Sequence, residues 1–151
     1  SIVSTASYRH ILKYFLETAP QYKTKLKKVY LLKEVPNFLK KKLNLPDEDE
    51  GIDLIAETYE KTYWAIQCKY RSNPNETLTL RGNLSTFNNL AFTYCKNISH
   101  GIVCATVNKP PKKIKLFHLI LTANTPSKGK FKFFIFIFNV GKPNFVPILS
   151  P

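Results

Sequence analysis

Methionine is absent from all 151 residues, and the chain opens on Ser1, so the sequence is expected to be a segment of a longer polypeptide or a processed product. Cysteine is scarce. Cys68, Cys95 and Cys104 form no CxxC pair, and an odd number in apolar settings points to reduced core residues in a cytoplasmic compartment, not to a disulfide framework or a zinc site. Long hydrophobic runs are missing too. The longest, Phe133 to Phe138, falls far short of the roughly 20 residues that a membrane-spanning helix needs, and no secretory signal precedes it, so no membrane partner is expected. Carboxylates are absent from the second half. All ten Asp and Glu lie at or before Glu76, whereas ten Lys and Arg follow it, so any carboxylate metal site must be built from the first half.

What remains is a basic, well-cored chain. Hydrophobic residues make up 44% and aromatics 13%, more than a disordered chain carries, and the length suits a single domain spanning residues 1–151. The net charge of +13 favours a polyanionic partner. Lysines cluster between Lys23 and Lys42 and again between Lys109 and Lys115, and these clusters are candidates for phosphate-backbone contacts, with Lys40, Lys41, Lys42, Lys112 and Lys113 the residues singled out. A solvated basic face is the plainer reading of each cluster.

Hydrophobic periodicity organises the chain. Ile11, Leu12, Phe15, Leu16 and Ala19 recur at helical spacing from Tyr8 until Pro20 ends the run. The Lys23 to Lys42 stretch reads as a short strand or helix flanked by solvated lysine. After the charged loop Pro46 to Gly51, Ile52 to Glu57 and Tyr63 to Tyr70 read as a β-hairpin whose turn, Thr58 to Thr62, is expected to draw in Glu57. Arg71 to Thr79 reads as a loop, and Leu84, Phe87, Leu90, Ala91 and Tyr94 predict a helix over 84–95. Gly101 to Val107 is an apolar run suited to a strand buried on both faces. Further strands are expected at Ile114 to Leu121 and Phe131 to Val140, joined by a turn at Thr125 to Gly129. The Phe133 to Phe138 segment is expected to be covered, because such runs at an open edge aggregate. Helices alternating with strands predict an α/β/α sandwich around a central mixed β-sheet.

One constellation carries chemistry. Side chains alternate along a strand, so Gln67 and Lys69 share a face with Tyr63 and Ala65, while Trp64, Ile66, Cys68 and Tyr70 take the other, Trp64 and Tyr70 as core. A glutamine beside a lysine on an apolar strand is costly unless both meet partners. Asp53 supplies one, since the thirteen residues between it and Gln67 are what a hairpin uses to bring the two together. A phosphodiester resists attack, and a divalent cation such as Mg2+ or Mn2+ both neutralises its oxygens and generates hydroxide. Asp53, the Gln67 carbonyl oxygen and the backbone carbonyl of Cys68 are the expected ligands. Lys69 would hold the attacking water or the scissile phosphate.

Gly51-Ile52-Asp53-Leu54-Ile55-Ala56-Glu57 followed by Tyr63-Trp64-Ala65-Ile66-Gln67-Cys68-Lys69-Tyr70 resembles the GxD and QxK motifs of Mrr-like restriction endonucleases, within the PD-(D/E)xK superfamily. Within that branch it most resembles the nuclease domains fused to helicases in single-polypeptide restriction-modification enzymes, and the likeness covers about Tyr8 to Val107. The resemblance implies a restriction-endonuclease-like sandwich and Mg2+-dependent cleavage of double-stranded DNA, with Asp53, Gln67 and Lys69 in the metal-binding and catalytic positions. It also implies a helicase or other domain in the same polypeptide. The family's first-helix acid falls on Glu17 or Glu34, of which Glu34 is ranked first. The competing reading is a nuclease fold without activity, serving as a nucleic-acid-binding or protein-interaction module. His10, His100 and His118 are scattered over unrelated segments and suggest no histidine-based site.

Overall fold

The computed structural model describes residues 5–48, 50–73, 75–79, 82, 84–107, 118–125 and 129–138. The first helix, α1 (Thr5–Thr18), buries Tyr8, Ile11, Leu12 and Leu16, the stripe its spacing announces. Ala19 breaks it with extended backbone, and Pro20, whose missing amide costs nothing at a helix start, opens the single turn α2 (Pro20–Lys23). The lysine-rich stretch resolves into both of its alternatives, a strand β1 (Leu26–Leu31) and, after a 3-10 turn at Leu32–Glu34, a helix α3 (Asn37–Leu43). A bulge between Leu26 and Lys28 interrupts the pairing of β1. It lets Lys27 and Lys28 both stay exposed while Leu26, Val29 and Leu31 all enter the core.

The hairpin forms as expected from β2 (Leu54–Thr58) and β3 (Tyr63–Lys69), with Leu54 opposite Ile66 and Glu57 opposite Tyr63. Glu57 belongs to the strand and not to the turn: it also faces Lys28 of β1, and its carboxylate comes within 4.0 Å of Lys27. From β3 the chain crosses over through α4 (Ser85–Asn89) and returns as β4 (Ile98–Ala105), parallel to β3, which is the long connection that a parallel pair requires. The helix expected over 84–95 is shorter than its pattern. Leu90–Tyr94 widens into a π-turn, closed by the Cys95 amide donating to the Leu90 carbonyl at 2.8 Å. The extra residue shifts the phase, so Cys95 is buried and Tyr94, expected inside, is exposed.

The last two strands, β5 (His118–Thr125) and β6 (Gly129–Phe138), pair antiparallel and complete a six-stranded mixed sheet of order β1-β2-β3-β4-β6-β5. Their limits differ from the expected ones, because pairing runs right up to the turn, from Thr125 opposite Gly129. Residues 114–117, 139 and 140 lie outside the described residues, as does the whole second lysine cluster, Lys112 and Lys113 included. β6 has β4 on one side and β5 on the other, so the Phe-rich segment has no open edge.

Two hydrophobic layers flank the sheet. On one face α1 and α2 cover Val29, Leu54, Trp64, Ile66, Cys68, Ile102 and Cys104. On the other, α3, α4 and the π-turn cover Ile55, Tyr63, Ala65 and Val103. The result is the expected α/β/α sandwich, and β4 is buried on both faces from Gly101 to Ala105. All three cysteines are free and buried.

Candidate active site

The site lies where β2 and β3 part. The hairpin ladder ends at Leu54 opposite Ile66, and continuing it one step would set Asp53 opposite Gln67. Instead the Asp53 amide donates to the Ile66 carbonyl at 2.8 Å, and the Cys68 amide donates to Asp53 Oδ2 at 2.7 Å. A side-chain oxygen thus replaces a main-chain acceptor in the ladder. Asp53 is tied to both neighbours of Gln67, and its own carbonyl accepts from Leu32 at the end of β1. The Cys68 amide that holds this carboxylate belongs to β3, so the fold fixes where it sits.

Gln67 is 5% exposed and Asp53 6%. The side-chain oxygen of Gln67, Oε1, is buried with no hydrogen-bond partner, a condition that ordinarily costs about 1–3 kcal/mol. Such an orphan acceptor, on the strand residue between the two that bond Asp53, suits a divalent cation, which takes oxygen ligands. Among the described residues no group of three or more His, Cys, Asp or Glu could hold a metal, so a cation would rest on Asp53 and Gln67, with the Cys68 carbonyl as the expected third donor. Gln67 shares the face of Tyr63 and Ala65, as alternation requires, and Lys69 closes β3 two residues further on.

Gly51 makes the approach possible. Its φ of +123° lies where side-chain-bearing residues rarely go, and it turns the chain from the acidic loop into Ile52 and Asp53.

Glu34 takes a different part. Its Oε2 accepts from the Leu31 amide at 3.1 Å and from Lys13 Nζ at 3.1 Å, which caps the 3-10 turn and ties it to α1. Slight burial pushes its carboxyl up, but the Leu31 amide and the Lys13 ammonium outweigh that and hold it below the usual carboxylate range. Glu17 is exposed near the end of α1.

The α1 residue that reaches the site is Arg9, which sequence reasoning missed: its Nη2 lies 2.8 Å from Asp53 Oδ1. Arg9 and Lys13 are one turn apart on α1, and each meets a carboxylate of the β1–β2 end, so a basic i, i+4 pair bordering the apolar stripe was the available signal. A cavity of about 360 Å³ opens beside this ion pair, lined in part by Arg9, His10, Lys33, Asp47, Glu48 and Asp53. Asp47 and Glu48 come from the charged loop Pro46 to Gly51. Lys42 is placed elsewhere. Its Nζ lies 5.1 Å from the centroid of the Tyr63 ring, at the opposite end of β3 from Lys69.

An α/β/α sandwich whose central hairpin parts at a buried aspartate, with a buried glutamine on the facing strand, is consistent with a restriction-endonuclease-like domain. The restriction endonuclease family model of Mrr type matches residues 17–117, and the chain belongs to that family. No curated protein and no solved structure matches it. The family makes this a nuclease domain that acts on DNA.

Proposed function

We propose that the domain is a metal-dependent endonuclease that hydrolyses phosphodiester bonds of double-stranded DNA. The observation that carries this reading is the unpartnered, buried Oε1 of Gln67, the residue between Ile66 and Cys68, whose main-chain groups both bond Asp53. Asp53, Gln67 and the Cys68 carbonyl would hold Mg2+ or Mn2+. A cation held there would supply charge neutralisation at a phosphate oxygen and a lowered pKa for water. The Cys68 amide aims the Asp53 carboxylate, and Lys69 holds the attacking water or a non-bridging phosphate oxygen as charge develops. Lys40 and Lys41, with Lys112 and Lys113, would contact the DNA backbone without reading sequence. Glu34 would act indirectly, by holding the 3-10 turn against α1. The domain would work in the cytoplasm, joined to a helicase or another DNA-processing domain of the same polypeptide. Among the described residues no helix is long and apolar enough to cross a membrane.

Supercoiled plasmid incubated with the domain in Mg2+, Mn2+ or EDTA tests the reading. Nicking that stops in EDTA is expected. Lys69→Ala should lower the rate on the order of a hundredfold while cation binding persists. Asp53→Asn should abolish both. Parental cutting by Lys69→Ala would overturn the assignment. The Arg9–Asp53 ion pair favours a second reading, a nuclease fold that holds nucleic acid without cutting it, and DNA binding without nicking in any metal would select it.

A further inference from the structure

A guanidinium stands against the carboxylate that a catalytic cation would need. Arg9 Nη2 is 2.8 Å from Asp53 Oδ1, and Oδ2 already accepts from the Cys68 amide. A nearly buried carboxylate requires a counter-charge, and Arg9 supplies it. A dication on the same oxygen would face that guanidinium at a few ångström, and like charges so close in a part-buried site repel strongly. One of the two must yield.

The structure says which. Asp53 is fixed through its amide, its carbonyl and Oδ2. The Arg9 side chain is 32% exposed and lines the 360 Å³ cavity beside His10 and Lys33, so it has somewhere to go. The anion best suited to draw it there is a DNA phosphodiester, which matches the planar fork of arginine with paired hydrogen bonds. We propose that Arg9 is an electrostatic latch: it neutralises Asp53 until a DNA phosphate draws it away, so that divalent cation and DNA load with positive coupling. Arg9 is then a positioning residue that keeps the site closed to cations when no substrate is present. This rests on the nuclease reading above, and it assigns the site a regulation that the reading does not require.

Calorimetric titration with Ca2+, a hard cation with the oxygen preference of Mg2+, tests the latch in the presence and absence of a short duplex. The parent should bind Ca2+ about tenfold more tightly with duplex, a size usual for coupled sites. Arg9→Gln keeps a hydrogen-bond donor near Asp53 but removes the charge. It should bind Ca2+ about tenfold more tightly than the parent without DNA, and its coupling to duplex should fall below the parent's, to the direct attraction between cation and phosphate. In thermal melts without cation Arg9→Ala should fall below the parent, and Ca2+ should restore it. Equal Ca2+ affinity of parent and Arg9→Gln without DNA overturns the latch, even if the parent nicks plasmid. A parent that neither binds Ca2+ nor nicks in Mg2+ removes the nuclease reading and the latch together.

Discussion

Gln67 is a residue that the fold tolerates at a cost. Its Oε1 lies in the interior without a partner, so the protein holds a destabilising acceptor where a cation would be bound. Gln67→Met keeps the length of the side chain and removes the orphan atom. It should raise unfolding free energy in urea by about 1–3 kcal/mol while lowering cation affinity, and a variant no more stable than the parent would show that the oxygen is already satisfied. Glu34 is opposite in character, since its Oε2 accepts from both the Leu31 amide and Lys13. Its carboxyl titrates below its ordinary value of 4.5, so its contribution is present above that pH and is lost as pH falls through the depressed folded-state value. Glu34→Gln should therefore flatten the acid limb of the stability curve and leave alkaline stability alone. The effect should be small, because the side chain is 39% exposed and screened by water. The spacing of Gly51, Asp53, Gln67 and Lys69 made three of these side chains legible as a candidate site, since alternation and hairpin length are local rules. Arg9 was not legible, because which α1 residue overhangs the sheet depends on how the helix is laid across it.

At the scale of elements, the site depends on one turn and one irregular helix. Gly51 has room for a methyl group, whose nearest contact would be Thr86 Cγ2 at 3.5 Å, so any cost of Gly51→Ala comes from its φ of +123° and not from a clash. That substitution should cost about 1–3 kcal/mol by urea denaturation and should reduce cleavage, because the turn delivers Asp53. A neutral result would mean that the turn relaxes without strain. The π-turn at Leu90–Tyr94 docks on the end of α3, where Asn44, with φ of 52°, caps the helix and donates from Nδ2 to the Tyr94 carbonyl at 2.9 Å. Hydrophobic spacing of Leu84, Phe87 and Ala91 identifies that helix, but one extra residue in a turn is decided by packing against α3, which no 3.6-residue pattern contains.

At the scale of the molecule, a net charge of +13 makes any DNA affinity fall with salt. Lys40 and Lys41 are candidates for part of that slope, whereas Lys42 is engaged with Tyr63, roughly 20 Å along β3 from Lys69 by strand rise. Substituting Lys40 and Lys41 by Ala should reduce the slope of log affinity against log salt by about 0.9 for each phosphate no longer neutralised, on every DNA sequence alike. Lys42→Ala should leave the slope unchanged and lower the melting temperature. A parental slope in the double variant would return Lys40 and Lys41 to the solvated surface. By itself the sequence determined the α/β alternation, the hairpin and the face shared by Gln67 and Lys69, because period-2 and period-3.6 patterns are written in neighbouring residues. Only the tertiary structure decided that Asp53 replaces a main-chain acceptor opposite Cys68, that Arg9 neutralises it, that Glu34 caps a turn and that the Asp47–Glu48 loop borders the cavity. The Asp53 and Arg9 contacts join segments whose separation along the chain carries no periodic signal, and they are set by the energetic need to pair a buried carboxylate once the sheet and α1 have closed on it.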